Sequence, residues 1–340
     1  MNWFERLTGF KEAGYEKVQS KLEVEDQILF SPTNGRRFQI GLLELVSLQE
    51  LRKRVSAQDT QFGQLRLDLI QGDAGTLHRE PQYKGALFQV ASQFNLLEMI
   101  SPHVKPEQGV AGYEYDRTQG PACAIAAGAA TIYRNYFVPV EGHAGQRENR
   151  QLDGLADMGT ALSTALVKPV SSLWQMVNGY ALCTRAGLEW INAYLATLSP
   201  AEKDTLRSTL RIGVHWDVEV TDVDHGTGPL VSQALCSALP VAYSRIEKAL
   251  WGPFASLVLE ATYEATLLAG VLNARRGASN KVLLTLVGGG AFGNDRDWIL
   301  QALSRALNMT RGYDLEVYVV SYGHISEDLY ALSNRFENIV

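Results

Sequence analysis

The segment VLLTLVGGGAFGND, residues 282–295, constrains the fold more than any other part of the chain. A continuous apolar run suits a strand buried on both faces. It leads into a glycine-rich turn, and a helix-like stretch, RDWILQALSRAL, starts within a few residues. Strands of this kind belong in α/β proteins, where helices cover both faces of a sheet. Exposed backbone N–H groups at such a turn attract an anion, and glycine lets a phosphate approach closely. A tight connection without a ligand is the competing reading, but three consecutive glycines carry an entropy cost that a mere connection does not require. Gly288, Gly290 and Gly293 also match the dinucleotide pattern G-x-G-x-x-G. That pattern opens the first βαβ unit of its fold, with an acid at the end of the next strand. Here it sits near the end of the chain, and Asp314 starts the following strand, so an oxidoreductase reading rests on the glycines alone.

The rest of the chain supports the same fold class. Alternation of Leu65, Leu67 and Leu69 with polar residues predicts a half-buried strand over 65–70, and further strands are expected over 86–94, 212–220 and 315–321. Helical spacing over 42–55 predicts a helix, as part of a helical extension, residues 1–60, packed on a core of residues 61–340. Residues 155–209 read as mostly helical, with a helical insertion near 160–210, and a helix is expected through 231–250, placing Cys236 on an apolar helix. The 340 residues are 46% apolar, enough for a chain of this size to bury about three-quarters of its unfolded surface.

Charge and cysteine usage narrow the function classes. A net charge of −6 argues against a general nucleic-acid binder. No stretch approaches the ~18 continuous apolar residues of a membrane span, so no membrane partner is expected. Cys123, Cys183 and Cys236 are odd in number and widely spaced, as for free thiols in a reducing compartment. With no cleavable signal at the start, a cytoplasmic location is expected, and export without a cleaved signal is compatible with the sequence. There is no G-x-S-x-G, no H-E-x-x-H and no Walker loop, and neither cofactor nor metal is expected. His215 and Asp217 read as structural, and His225 as part of a turn.

Two loops carry the acids. The first, 106–121, holds Glu114 and Asp116 beside Arg117 and Gln119. The second, 138–154, with the residues after it, adds Gln146, Glu148, Gln151, Asp153 and Asp157. A carboxylate in a glycine-rich loop can activate water beside a bound sugar, though a solvated charged loop explains either one taken singly. QGDAG, 71–75, ends a strand with an acid in a turn, and on sequence alone a helix cap is the better account of Asp73.

Taken together, these motifs resemble the macrodomain superfamily, and within it the poly(ADP-ribose) glycohydrolase-like branch. GGGAFGND at 288–295 looks like the diphosphate loop of that branch, and QGDAG like the adenine-binding turn. The blocks 113–137, 145–159 and 231–244 resemble a subgroup of effector hydrolases that remove ADP-ribose from arginine of ubiquitin. The resemblance implies a three-layer α/β/α sandwich with a mixed central sheet. It implies that Asp73 and Ala74 hold adenine, with Gln119 also at the ligand. Gly288, Gly289, Gly290, Ala291, Gly293 and Asn294 would form the diphosphate loop, and Phe292 would pack on the distal ribose. The paired glutamates that follow a triple glycine in that branch are missing, and Glu114, Asp116 and Asp153 are the candidate catalytic acids. The implied activity is hydrolysis of ADP-ribose from a modified protein, arginine-linked, with ubiquitin as the candidate protein. A non-catalytic ADP-ribose reader is the alternative. The acids Glu148, Asp153 and Asp157 are expected to form a rim suited to a guanidinium.

Overall fold

The computed structural model describes residues 1–57, 63–224 and 226–337; the expected boundary at 60/61 and His225 lie outside these residues. The chain opens with α1 (Trp3–Thr8) and α2 (Tyr15–Gln19). A small antiparallel sheet follows, made of β1 (Glu23–Glu25), β2 (Ile28–Ser31) and β3 (Arg36–Gln39). The helix expected over 42–55 is instead β4 (Leu42–Ser47) running into α3 (Leu48–Ser56). Ser47 makes the break: its hydroxyl accepts from the Glu50 N–H and the Glu50 carboxylate accepts from the Ser47 N–H, a capping box. The N-terminal segment is therefore strand and helix together.

The central sheet has seven strands. They are β4, β5 (Arg66–Gln71), β6 (Leu87–Ala91), β11 (Arg211–Glu219), β12 (Leu230–Cys236), β13 (Lys281–Leu284) and β14 (Glu316–Ser321). Their order across the sheet is β4-β11-β12-β6-β13-β14-β5. The pairs from β12 to β5 are parallel, while β11 is antiparallel to both β12 and β4. The sheet is thus mixed, as expected, and the strands at 65–70, 212–220 and 315–321 fall within a residue of their expected bounds. β13 stops at Leu284, short of the expected 287. Gln89 accepts the Thr285 N–H, while Tyr263 Oη donates to the Thr285 carbonyl and accepts the Val287 N–H. Side chains thereby replace the strand ladder before the glycine loop.

Helices cover both faces. On one face lie α4 (Ala74–Leu77), α5 (Gln119–Ala126) and α6 (Gly128–Tyr136), whose small residues permit close packing. A Cβ on Gly75 would stand 2.8 Å from the Ala122 carbonyl oxygen. After the two-residue strands β7 (Pro139–Val140) and β8 (His143–Ala144), the chain crosses to the other face. That face holds α7 (Ala156–Leu166), α8 (Val170–Leu173), α9 (Arg185–Thr197), α10 (Pro200–Arg207), α11 (Lys248–Arg275), α12 (Arg296–Met309) and α13 (Glu327–Glu337). α11 is long and apolar enough to cross a membrane, yet 83% of its most apolar window is buried inside the protein, and Glu264 on it pairs with Arg52 and Arg305.

Two further expectations are corrected. Within the segment read as helical, β9 (Trp174–Val177) and β10 (Tyr180–Cys183) form a hairpin. Its turn is Asn178-Gly179, both with positive φ, which is a strong hairpin signal. The helix expected through 231–250 begins instead as strand β12, Leu230–Cys236, so Cys236 closes a central strand, and α-helix starts only at Lys248. A short apolar run has no period that separates a buried strand from a buried helix. All three cysteines are free and buried, as expected.

Candidate functional site

A parallel sheet leaves a crevice where neighbouring strands send their following segments to opposite faces. Here that point lies between β6, which leads toward α5 and α6, and β13, which leads to α12 on the other face. A cleft of about 360 Å³ opens there, at the C-terminal ends of the parallel strands. One wall is Thr285–Phe292 and Asn294; the other is Asp116 with Thr118–Pro121. Residues 91–93 and Glu98 form the floor, and Tyr180, Tyr243 and Tyr322 stand around it.

The glycine loop is built as its sequence suggested. Gly288 and Gly293 have φ of +81° and +69°, a region that glycine enters without strain. A Cβ on Gly288 would meet Ala238 at 2.6 Å, and one on Gly293 would meet Ala242 at 2.8 Å, so both are packed from behind. A Cβ on Gly290 would meet nothing within 4 Å, because it faces the open cleft. Asn294 pins the loop: its N–H donates to the Gly288 carbonyl at 2.9 Å and its side chain donates to the Leu239 carbonyl at 2.8 Å. Gly289, Gly293 and Asn294 donate their N–H groups within this turn, whereas Gly290, Ala291 and Phe292 have no acceptor for theirs among the described residues. The N–H groups left over at this turn therefore belong to the loop itself and not to the end of the helix. The first turn of α12 is already capped by Asp295, which accepts from Asp297 N at 3.0 Å and pairs with Lys248. Phe292 lies in this wall, its ring 5.2 Å from Tyr180 and 5.6 Å from Tyr243.

The sequence-derived acids separate. Asp116 lines the cleft, and its carboxylate accepts the Thr118 N–H at 2.8 Å. Glu114, two residues away, is exposed and outside the cleft walls. Asp153 is also outside them; it accepts the Leu155 N–H at 2.8 Å, and burial pushes its carboxyl above the ordinary range. The expected guanidinium-binding rim does not form at the cleft. Glu148 pairs with Lys105 at 2.7 Å and Asp157 with Arg211 at 2.7 Å. Asp73 caps α4, accepting from Thr76 N at 2.7 Å, and neither it nor Ala74 is in the cleft walls. Gln119 joins that turn to the site, since its side-chain oxygen accepts the Ala74 N–H and its amide donates to Asp73. Asp314 precedes β14, at the opposite end of the sheet from the glycine loop. His215 is fully buried in β11, and Asp217 pairs with Arg276.

Two features were missed. Glu98, fully buried on the floor, pairs with the buried Arg134 at 3.2 Å. Burial raises its carboxyl, and the Arg134 charge opposes that rise. A lone acid in the apolar run FNLLEM directly after a central strand was the available signal, because a charge there demands a partner. Tyr180 comes from the unexpected β9–β10 hairpin and packs 5.1 Å from Tyr243. Burial raises its hydroxyl, with Tyr243 and Asp116 adding to the rise. Among the described residues no cluster of His, Cys, Asp and Glu has the arrangement of a metal site.

No family model matches the chain, and no curated protein matches it. Several solved structures are similar. One is a point mutant of poly(ADP-ribose) glycohydrolase from Deinococcus radiodurans in complex with ADP-ribose, at 13% identity and a TM-score of 0.45, covering 87% of this chain and 94% of that one. Another is poly(ADP-ribose) glycohydrolase from Thermomonospora curvata bound to the inhibitor ADP-HPD, at 12% identity and a TM-score of 0.44, covering 94% and 95%. A third is the Deinococcus radiodurans enzyme in apo form, at 14% identity and a TM-score of 0.43, covering 86% and 91%.

Proposed function

We propose that this cleft binds ADP-ribose and that the protein is an ADP-ribosyl glycohydrolase acting on a modified protein. One observation carries the reading: Gly290, Ala291 and Phe292, whose amides have no acceptor among the described residues, line a cleft that Asp116 also lines. The first set suits a diphosphate, and the second suits the sugar that follows it. Cleavage at an anomeric carbon passes through an oxocarbenium-like state. Asp116 stabilises that positive charge and takes a proton from the attacking water. The water oxygen bonds to the anomeric carbon, the bond to the leaving group breaks with its electron pair going to the leaving group, and Asp116 passes the proton it took from the water to that leaving group. Position at the cleft gives Asp116 precedence over Glu114 and Asp153. Asp73, which caps α4, contacts adenine in this reading only at the edge of the turn.

The leaving group we propose is an arginine side chain. The aromatic wall supports this choice, because a planar guanidinium stacks on aromatic rings and pairs with a carboxylate. Tyr243 and Phe292 supply the rings and Asp116 the charge. Ubiquitin, implied by the resemblance of the 113–137, 145–159 and 231–244 blocks, is the modified protein to assay first, and the three free thiols suit action in the cytoplasm. The test is calorimetric titration with ADP-ribose, alongside release of ADP-ribose from arginine-, serine- and glutamate-linked proteins. Binding with release from arginine supports the reading. Binding without release from any of the three makes the protein a reader, release only from serine or glutamate overturns the arginine assignment, and no binding overturns the site.

A further inference from the structure

We propose that Glu12, in the N-terminal segment, is a positioning residue that sets the loop carrying Asp116; the proposal rests on the glycohydrolase reading above. Glu12 lies between α1 and α2, far from the cleft in sequence. Its carboxylate accepts three hydrogen bonds: Val110 N at 2.9 Å and Tyr136 Oη at 2.8 Å on one oxygen, and Ala111 N at 2.7 Å on the other. Hydrogen bonds to an ionised acceptor are roughly twice as strong as neutral ones. The two amides belong to the start of a short 3-10 turn, Ala111–Tyr115, that ends directly at Asp116.

The backbone around this contact is shaped to receive it. Gly109 has a φ of +85°, and a Cβ there would stand 2.3 Å from the Glu12 carboxyl carbon. Downstream, the Asp116 N–H donates to the Tyr113 carbonyl at 3.1 Å, and the buried Tyr113 hydroxyl accepts the Glu98 N–H at 3.0 Å. One continuous path therefore runs from Glu12 through the turn to the backbone N–H groups of both cleft acids, Asp116 and Glu98.

The N-terminal segment is itself anchored. Trp3, Phe4 and Phe10 share an apolar cluster with Leu97, Met99, Val110, Tyr113 and Tyr136. Tyr15 donates to the Asn135 carbonyl at 2.7 Å, and Gln19 donates to the Tyr136 carbonyl at 2.6 Å. Two exposed charged ties also hold the loop: the Lys105–Glu148 pair, of a kind that contributes little, and the Glu107 carboxylate, which accepts the Glu148 N–H at 3.1 Å.

The test compares Glu12→Ala, Glu12→Gln and Tyr136→Phe with the full-length wild type, measuring ADP-ribose release, ADP-ribose affinity and amide exchange at 109–116. A misplacement near 1 Å can cost about 10²-fold in rate. Glu12→Ala is expected to lower kcat by about ten- to a hundredfold while the affinity for ADP-ribose, carried by the opposite wall, stays within about threefold. Glu12→Gln keeps one acceptor oxygen and should recover part of the loss, and Tyr136→Phe, which removes one of the three bonds, should lose least. Unchanged kcat in Glu12→Ala overturns the proposal, and so does an equal fall in rate and affinity, which marks a general structural role. If the wild type neither binds nor releases ADP-ribose, the functional reading fails; amide exchange at Val110 and Ala111 in Glu12→Ala then decides whether Glu12 holds the loop.

Discussion

The two acid-rich loops have similar composition and opposite fates. Loop 106–121 delivers Asp116 to the cleft because its turn is tied at one end by Glu12 and in the middle by Tyr113. Loop 138–154, with the residues after it, serves as a strut. Gln146 is fully buried, donating to the Asn95 and Arg134 carbonyls, and Gln151 links Asn95 to Asn178. Glu148, Asp157 and Asp153 are engaged by Lys105, by Arg211 and by the Leu155 N–H. Acid content in a loop thus reports solvation or pairing. A carboxylate becomes available for chemistry where the fold brings it to a crevice without giving it a cation.

The largest expected effect tests the floor on which the first loop rests. Arg134→Met leaves Glu98 buried without its cation, and breaking a buried pair in this way costs about 3–5 kcal/mol. Urea unfolding should show that loss, whereas Lys105→Met, which breaks the exposed pair joining the start of the first loop to Glu148 of the second, should stay within about 1 kcal/mol of wild type. Equal losses would erase the distinction between the two loops.

Next comes the chemistry. Asp116→Asn should slow ADP-ribose release by about 10²-fold, the size expected for loss of a general base, while Asp153→Asn and Glu114→Gln stay within about twofold. A larger loss in Asp153→Asn than in Asp116→Asn would reverse the assignment of the loops. On the facing wall, Gly290→Val should weaken ADP-ribose at least about tenfold, or about 1.4 kcal/mol, because the new side chain fills the space through which a phosphate reaches the amides. Unchanged calorimetric affinity in the folded variant would remove the diphosphate from this wall.

The smallest effect sharpens what the second loop does. Burial raises the folded-state pKa of Asp153 above its unfolded value. Between those two values the folded chain binds more protons, so wild-type stability from this group falls as pH rises through that window and the penalty is complete above it. Asp153→Asn cannot ionise, yet its side-chain oxygen can still accept the Leu155 N–H. It should gain up to about 0.5 kcal/mol relative to wild type between pH 4 and pH 7. A relative loss over that range would show that the carboxylate's hydrogen bonds outweigh its burial.

Much of the α/β architecture was legible because its signals are local. The run at 282–284 is apolar wherever it is read, and the alternation at 65–70 needs only one buried face. The glycine loop was legible too, since positive φ at Gly288 and Gly293 and the open side of Gly290 follow from having no Cβ. Asp73 as a helix cap could be inferred from its own turn. Elsewhere the pattern was ambiguous or the partner was distant. Leu42–Ser47 has helical spacing but becomes a strand because β11 offers it a ladder, from Arg211 opposite Ser47 to Trp216 opposite Leu42. VSQALC is equally apolar as strand or helix, and pairing with β6 and β11 decides it.

By itself, then, the sequence determined the fold class, the central strand and the glycine turn after it, because each depends on residues within one turn of each other. Only the tertiary structure decided which acid stands at the cleft. Asp116, Glu114 and Asp153 are the same kind of residue in the same kind of loop. What separates them is contacts across long stretches of chain: Glu12 with Val110 and Ala111, Arg134 with Glu98, and Asp157 with Arg211. A carboxylate's role follows from the charges and donors that surround it in space, and no local pattern encodes those neighbours.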